Sequence, residues 1–163
     1  MKFFIDTANL EEIEEMSAYG IVDGVTTNPS IIAREGKDLK ETLIRICNMV
    51  DGPISGEVLA LDAETMIKEG LEIAGWHRNM VVKIPMTPEG IKAVRALSAK
   101  GIRTNVTTVY DSAQALVAAK AGADIATIPY ECMKKLFWHP MTDVSLDGFM
   151  SDWKKAMGDK KIL

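Results

Sequence analysis

The residue that constrains the chemistry most is Lys83. It stands in Met80-Val81-Val82-Lys83-Ile84-Pro85, an otherwise apolar run of the kind found in strands buried on both faces. Burial disfavours an ammonium and lowers its pKa, and a partly neutral amine can attack a carbonyl and condense to an iminium. Pro85 has no N–H to give to a sheet, so the strand should stop there and leave the lysine near its C-terminal end. Two carboxylates hold comparable places, Asp6 after Phe3-Phe4-Ile5 and Glu57 after Ile54-Ser55-Gly56. Such a trio can divide labour, one acid taking the proton of a substrate hydroxyl and the other handling the water of dehydration. Thr26, Asn28 and Thr107, also at strand ends, are placed to hold hydroxyls or a water. Taken singly, each has a structural explanation. Lys83 can be a sheet-end lysine paired with Glu57 or Asp6, and Asn28-Pro29-Ser30 an Asn-Pro turn with Ser30 as helix N-cap. Together, on one rim, they read as a reaction site.

The elements that must position these residues follow from the texture of the chain. Short apolar, β-branched runs recur at Phe3–Ile5, Gly24–Thr27, Ile54–Leu59, Met80–Pro85, Thr104–Val109 and Asp124–Ile128. Between them, apolar residues fall at helical spacing: Ile13, Met16 and Ile21; Leu39, Leu43, Ile46, Cys47 and Val50; Met66, Ile67, Leu71 and Ile73; Ile91, Val94 and Leu97; Ala115, Leu116 and Ala119. The alternation predicts βαβ units and a parallel sheet, whose C-terminal edge is where ligands bind. Polar strand ends at positions 6, 27, 57, 83 and 107 are separated by 21, 30, 26 and 24 residues, about one βα unit each. Pro88-Glu89 should open one helix and Lys100-Gly101 close it. The sequence therefore reads as one α/β domain over residues 1–163, ending in helices at about 131–157. Six strands fall short of the eight of a closed barrel.

Composition excludes several alternatives. A net charge of −4, with 47% hydrophobic residues, gives an ordinary globular chain without the basic stripe that nucleic acid requires. No apolar run approaches the length of a membrane span, and Asp6 interrupts the N-terminal apolar stretch too early for a secretory signal. Cys47 and Cys132 form no disulfide framework, which suits a reducing, cytoplasmic setting where the Asn105-Val106-Thr107 sequon goes unused. His77 and His139 lack metal-ligand spacing, Gly70 to Gly75 is followed by Trp76 rather than a phosphate-loop lysine, and there is no dinucleotide fingerprint. The ten methionines read as core filler, and Phe137-Trp138 as core.

The motifs Phe4-Ile5-Asp6-Thr7-Ala8, Gly24-Val25-Thr26-Thr27-Asn28-Pro29-Ser30-Ile31-Ile32, Gly56-Glu57-Val58 and Val81-Val82-Lys83-Ile84-Pro85-Met86-Thr87 closely resemble the small transaldolases, a family that includes the fructose-6-phosphate aldolases. The resemblance runs from residue 1 to about 122 and resumes at Ala123-Asp124-Ile125-Ala126-Thr127-Ile128-Pro129-Tyr130, which is similar to the family's last strand. It implies a TIM (β/α) barrel of the transaldolase type, incomplete here, and a class I aldolase of the pentose phosphate pathway with neither metal nor organic cofactor. On that likeness Lys83, Asp6, Glu57 and Thr107 are catalytic, Thr26 and Asn28 hold substrate hydroxyls, and a dihydroxyacetone unit passes between sugar phosphates through a lysine Schiff base. Glu57 favours transaldolase, since the resemblance implies Gln at this position in the fructose-6-phosphate aldolases.

There is one large departure. The fifth helix runs through Ala119–Ala123 directly into the strand that resembles the family's eighth, so the sixth and seventh units are absent. In the family these carry a tyrosine that shares the catalytic water and the arginine and serine that grip the substrate phosphate. Their loss implies impaired activity, with Tyr130 standing near the place of the lost tyrosine. Open sheet edges further imply a homo-oligomer. The alternatives are aldolase-type cleavage of fructose 6-phosphate, a sugar-phosphate binder, or a non-catalytic assembly module.

Overall fold

The computed structural model describes residues 2–158. Its strands are β1 (Phe4–Asp6), β2 (Gly24–Thr26), β3 (Ile54–Glu57), β4 (Met80–Pro85), β5 (Thr104–Thr107) and β6 (Ile125–Ala126). The helices are α1 (Leu10–Ala18), α2 (Pro29–Glu35), α3 (Leu39–Met49), α4 (Ala63–Trp76), α5 (Pro88–Ser98), α6 (Ser112–Ala121), α7 (Tyr130–Lys134) and α8 (Pro140–Met157). All six strands are parallel and lie in sequence order from β1 to β6. Side chains from alternate strands meet across the strand between them, Lys83 of β4 reaching the Thr27 carbonyl beyond β2 and Asn105 of β5 reaching Ser55 of β3. Contacts of that kind belong to the curved wall of a barrel, and the sheet is an incomplete TIM-type barrel of six strands.

Local sequence explains the elements. Asn9, Asn28, Asp38, Asp62, Thr87 and Asp111 each accept from backbone N–H groups in the first turn of a helix. Such a cap contributes about 1 kcal/mol. Pro29 and Pro88 occupy first-turn positions, where a missing N–H is harmless. Gly122, at φ 94°, closes α6 in the left-handed region and turns the chain into β6.

The period-two alternation of the strands divides the sheet into two faces. Ile54, Met80, Val82, Ile84 and Val106 point to the helices and pack with Leu43 and Ile46 of α3, Met66 and Ile73 of α4, and Val94 and Leu97 of α5. Gly56 also lies on this side: a Cβ there would sit 2.8 Å from Met80 Cε and 2.9 Å from Leu43 Cδ1. Ser55, Glu57, Val81, Lys83, Asn105 and Thr107 alternate with these and line the inner face.

Some expectations need correction. Asn28, not Ser30, is the N-cap of α2, because its carboxamide reaches Ile31 N at 2.9 Å and the helix already begins at Pro29. Phe137 and Trp138 are not core; Phe137 is 88% exposed. Of the methionines, Met66 and Met80 fill the core as expected, whereas Met133, Met141, Met150 and Met157 are exposed. Leu71 and Leu116 also fall on exposed surface, since helical spacing alone does not say which side of an apolar stripe finds a partner, and Ile21 is exposed because α1 ends before it, at Ala18. The terminal helices are Tyr130–Lys134 and Pro140–Met157, and α8 buries no residue.

Candidate functional site

The inner face carries a row set by strand register. Glu57 of β3 pairs with Lys83 of β4, and Lys83 with Asn105 of β5. Parallel neighbours in register point the same way, so carboxylate, amine and amide stand side by side on one face. Lys83 is 5% exposed. Its Nζ donates to the Thr27 carbonyl at 2.8 Å and lies 3.4 Å from Glu57 Oε2. Burial raises the Glu57 carboxyl above the ordinary carboxylate range; the charge and hydrogen bond of Lys83 pull it down, and the charge of Asp6 adds a smaller upward push.

The remaining expected residues fall into two groups. Asp6 makes no ion pair with Lys83; its Oδ1 accepts from the Thr26 hydroxyl at 2.7 Å across the β1–β2 pair. The two acids thus have different partners, Glu57 the amine and Asp6 a hydroxyl. Thr107 is 7% exposed, on the same face as Asn105. Its neighbour Thr108 holds φ 59°, a left-handed backbone that a β-branched residue adopts at a cost of about 1–3 kcal/mol. Three bonds hold this turn, the Thr108 hydroxyl donating to the Thr107 carbonyl at 2.6 Å and accepting from Met86 N at 3.2 Å, and Met86 N also donating to the Thr107 carbonyl at 2.9 Å. Asn28 accepts with its Oδ1 in the α2 cap, and its NH2 is the donating end of the side chain. Tyr130 opens α7, is largely exposed, and makes no hydrogen bond to Lys83, Glu57 or Thr107.

A buried polar layer supports the row, and sequence reasoning missed it. The Thr27 hydroxyl donates to the Ser55 carbonyl at 2.9 Å, Asn105 Nδ2 donates to Ser55 Oγ at 3.0 Å, and the Thr127 hydroxyl donates to Asn105 Oδ1 at 3.1 Å. Thr27, Ser55 and Asn105 are fully buried. The available signal was alternation, since Ser55 precedes Glu57 by two and Asn105 precedes Thr107 by two. The sequon that contains Asn105 lies inside the sheet, out of reach of a glycosylating enzyme.

Among the described residues no three His, Cys, Asp or Glu side chains gather where they could hold a metal ion. Both cysteines are free and buried, and burial pushes the Cys47 thiol up to about 11, away from a nucleophilic thiolate. What the site offers is an enclosed amine beside a carboxyl that holds its proton more readily than usual, with a second, exposed carboxylate near enough for its charge to act on the first.

Comparison with known proteins identifies the family. The family model for transaldolase/fructose-6-phosphate aldolase matches residues 3–130. A probable transaldolase of Clostridium acetobutylicum is 45% identical, the match covering 96% of this chain and 99% of that protein. A probable transaldolase of Methanococcus maripaludis strain C7 is 43% identical, with the same coverage of 96% and 99%. The Clostridium alignment runs over 212 residues, 49 more than the 163 of this chain, so positions of the relative are missing here. Among solved structures, 2,3-dimethylmalate lyase superposes with a TM-score of 0.58 at 13% identity, covering 85% of this chain and 65% of that one, a likeness of fold alone. Among the described residues no helix is long and apolar enough to cross a membrane. The family match over most of the chain and the identity to its relatives together establish that this protein belongs to the transaldolase/fructose-6-phosphate aldolase family.

Proposed function

We propose that the chain is a transaldolase-like enzyme in which Lys83 forms a Schiff base with a ketose phosphate. The observation that carries this reading is the buried Lys83 Nζ held between the Thr27 carbonyl and the Glu57 carboxylate. Glu57 takes a proton from the Lys83 ammonium, and the resulting amine attacks the keto carbon, giving a carbinolamine. The protonated Glu57 carboxyl, favoured by its burial, gives its proton to the departing hydroxyl, which leaves as water, with Thr107 helping to hold it. Asp6, steered by Thr26, takes the proton of the hydroxyl next to the scissile carbon–carbon bond. That bond breaks, its electron pair moves to the iminium to form an enamine, and an aldose phosphate leaves. The three-carbon enamine then attacks the carbonyl of an acceptor aldose phosphate, Asp6 returns the proton, and water hydrolyses the new iminium. Thr26 and the NH2 of Asn28 hold substrate hydroxyls, and the chemistry uses neither metal nor organic cofactor.

The reading includes impaired substrate affinity. The units missing from the chain are those expected to supply the phosphate-gripping arginine, and a charge-assisted bidentate pair contributes about 1.5–3 kcal/mol, or about 10- to 150-fold in KM. We place the enzyme in the cytoplasm, within the pentose phosphate pathway. A homo-oligomer is part of the same reading, the occupant of the exposed apolar face of α8 being a second copy of this chain. That face carries Met141, Leu146, Phe149 and Met150, all exposed, and β1 and β6 each pair on one side only. Light scattering with Phe149→Glu tests it, dissociation being the expected result.

Product analysis separates the catalytic readings. The chain is incubated with fructose 6-phosphate, with and without an aldose phosphate acceptor. Products that need the acceptor support transaldolase, cleavage without it supports aldolase, and neither above the Lys83→Met background means a non-catalytic remnant.

A further inference from the structure

The geometry points to Thr127 as a positioning residue for Lys83, acting through the Asn105 amide; this rests on the functional reading above. Because β6 follows α6 directly through Gly122, it lies beside β5, with Ile125 opposite Asn105 and Ala126 opposite Val106. One residue further on, Thr127 N donates to the Val106 carbonyl at 2.8 Å, and this bond brings the Thr127 hydroxyl onto Asn105 Oδ1 at 3.1 Å. The Asn105 amide is then held at both ends, by Thr127 on β6 and by Ser55 on β3.

That double hold matters because of what stands next to it. Asn105 is the register neighbour of Lys83 on the side away from Glu57, and it is fully buried. Its amide therefore lines the same inner face of the sheet as Lys83. With only Ser55 as anchor the carboxamide can turn, leaving a buried polar atom unpaired on the face that carries Lys83. The same anchor leads back to the amine: the Ser55 carbonyl accepts from the Thr27 hydroxyl, and the Thr27 carbonyl accepts from Lys83 Nζ. A strand brought forward in the sheet therefore supplies a hydroxyl that steadies the wall of the site.

Thr127→Val removes the hydroxyl at nearly constant volume, and Thr127→Ser keeps it. With saturating ketose phosphate, borohydride trapping at Lys83 should slow about tenfold in Thr127→Val, the weight of one hydrogen bond to a buried group, and stay within about twofold in Thr127→Ser. A second measurement needs no substrate. Hydrogen exchange of the Asn105 side-chain NH2, assigned by its loss in Asn105→Asp, should quicken about tenfold in Thr127→Val and stay unchanged in Thr127→Ser. Unchanged exchange in Thr127→Val shows that Thr127 does not pin the amide and overturns the inference. Altered exchange with an unchanged trapping rate overturns the link to Lys83. Failure of the unsubstituted protein to form any adduct sinks the functional reading instead, while the exchange measurement still decides whether Thr127 holds Asn105.

Discussion

The centre of the sheet and the C-terminal arm are built from similar patterns and end in opposite states. Helix α5 buries Ala93, Val94 and Leu97 against β4 and β5, and α4 buries Met66, Gly70 and Ile73 beside it. Helix α8 is longer and carries Leu146, Phe149, Met150 and Met157, yet none of its residues is buried. The difference lies in the surface each stripe meets. Gly56 and Gly70 lack the Cβ that would hold helix and sheet apart: a Cβ on Gly70 would stand 2.7 Å from Leu97 Cδ1 and 3.2 Å from Val82 Cγ1. No such seat is offered to α8 among the described residues. An amphipathic pattern is thus a demand for a partner, which the sheet supplies to α4 and α5 and which α8 does not find among the described residues.

The largest expected effect is on chemistry. Lys83→Met should abolish Schiff-base formation, lowering turnover by about a thousandfold or more, whereas Phe149→Ala in the arm should leave trapping at Lys83 unchanged. Single-turnover assays of both variants check this, and a loss of trapping in Phe149→Ala would show that the two regions are coupled. Next in size is stability. Leu97→Ala should cost about 2–5 kcal/mol by opening a cavity in the centre, and Phe149→Ala less than about 0.5 kcal/mol, both read by urea denaturation at low protein concentration.

Glu57→Gln sharpens the comparison through pH. The Glu57 carboxyl is raised by burial, so its contribution to stability is fully present below the ordinary carboxylate range and is lost as pH rises through the raised folded value. Gln does not titrate. The Tm of the variant should therefore gain on that of the unsubstituted protein as pH climbs through that window, and kcat should fall about a hundredfold with loss of its basic limb. A constant Tm difference across the window would contradict the assignment. The smallest effect belongs to the arm: Gly148 lies within α8 with nothing near its would-be Cβ. Gly148→Ala should raise helicity by circular dichroism, at about 0.5–1 kcal/mol locally, and leave unfolding of the sheet centre unmoved.

Much of this was legible in the sequence. The apolar runs with polar ends placed all six strands, because a buried parallel strand needs a continuous apolar stretch and Pro85 must end one. The pairing of Lys83 with Glu57 was open to inspection as two charges at two strand ends. Three things were not. Ser55, Asn105 and Thr127 look unremarkable singly, and only register across three strands joins them into a layer. The left-handed Thr108 leaves no mark in composition, since its neighbours rather than its own preference hold it there. The exposure of Phe137 and of the α8 stripe could not be read from periodicity, which reports an apolar face and is silent on what covers it.

The most direct test of the whole account is borohydride reduction in the presence of fructose 6-phosphate, followed by peptide mass mapping. The account predicts one adduct carrying the mass of the reduced sugar fragment on the peptide that contains Lys83, and none in Lys83→Met. An adduct on a different lysine, or none under conditions that label a full-length relative, would contradict it.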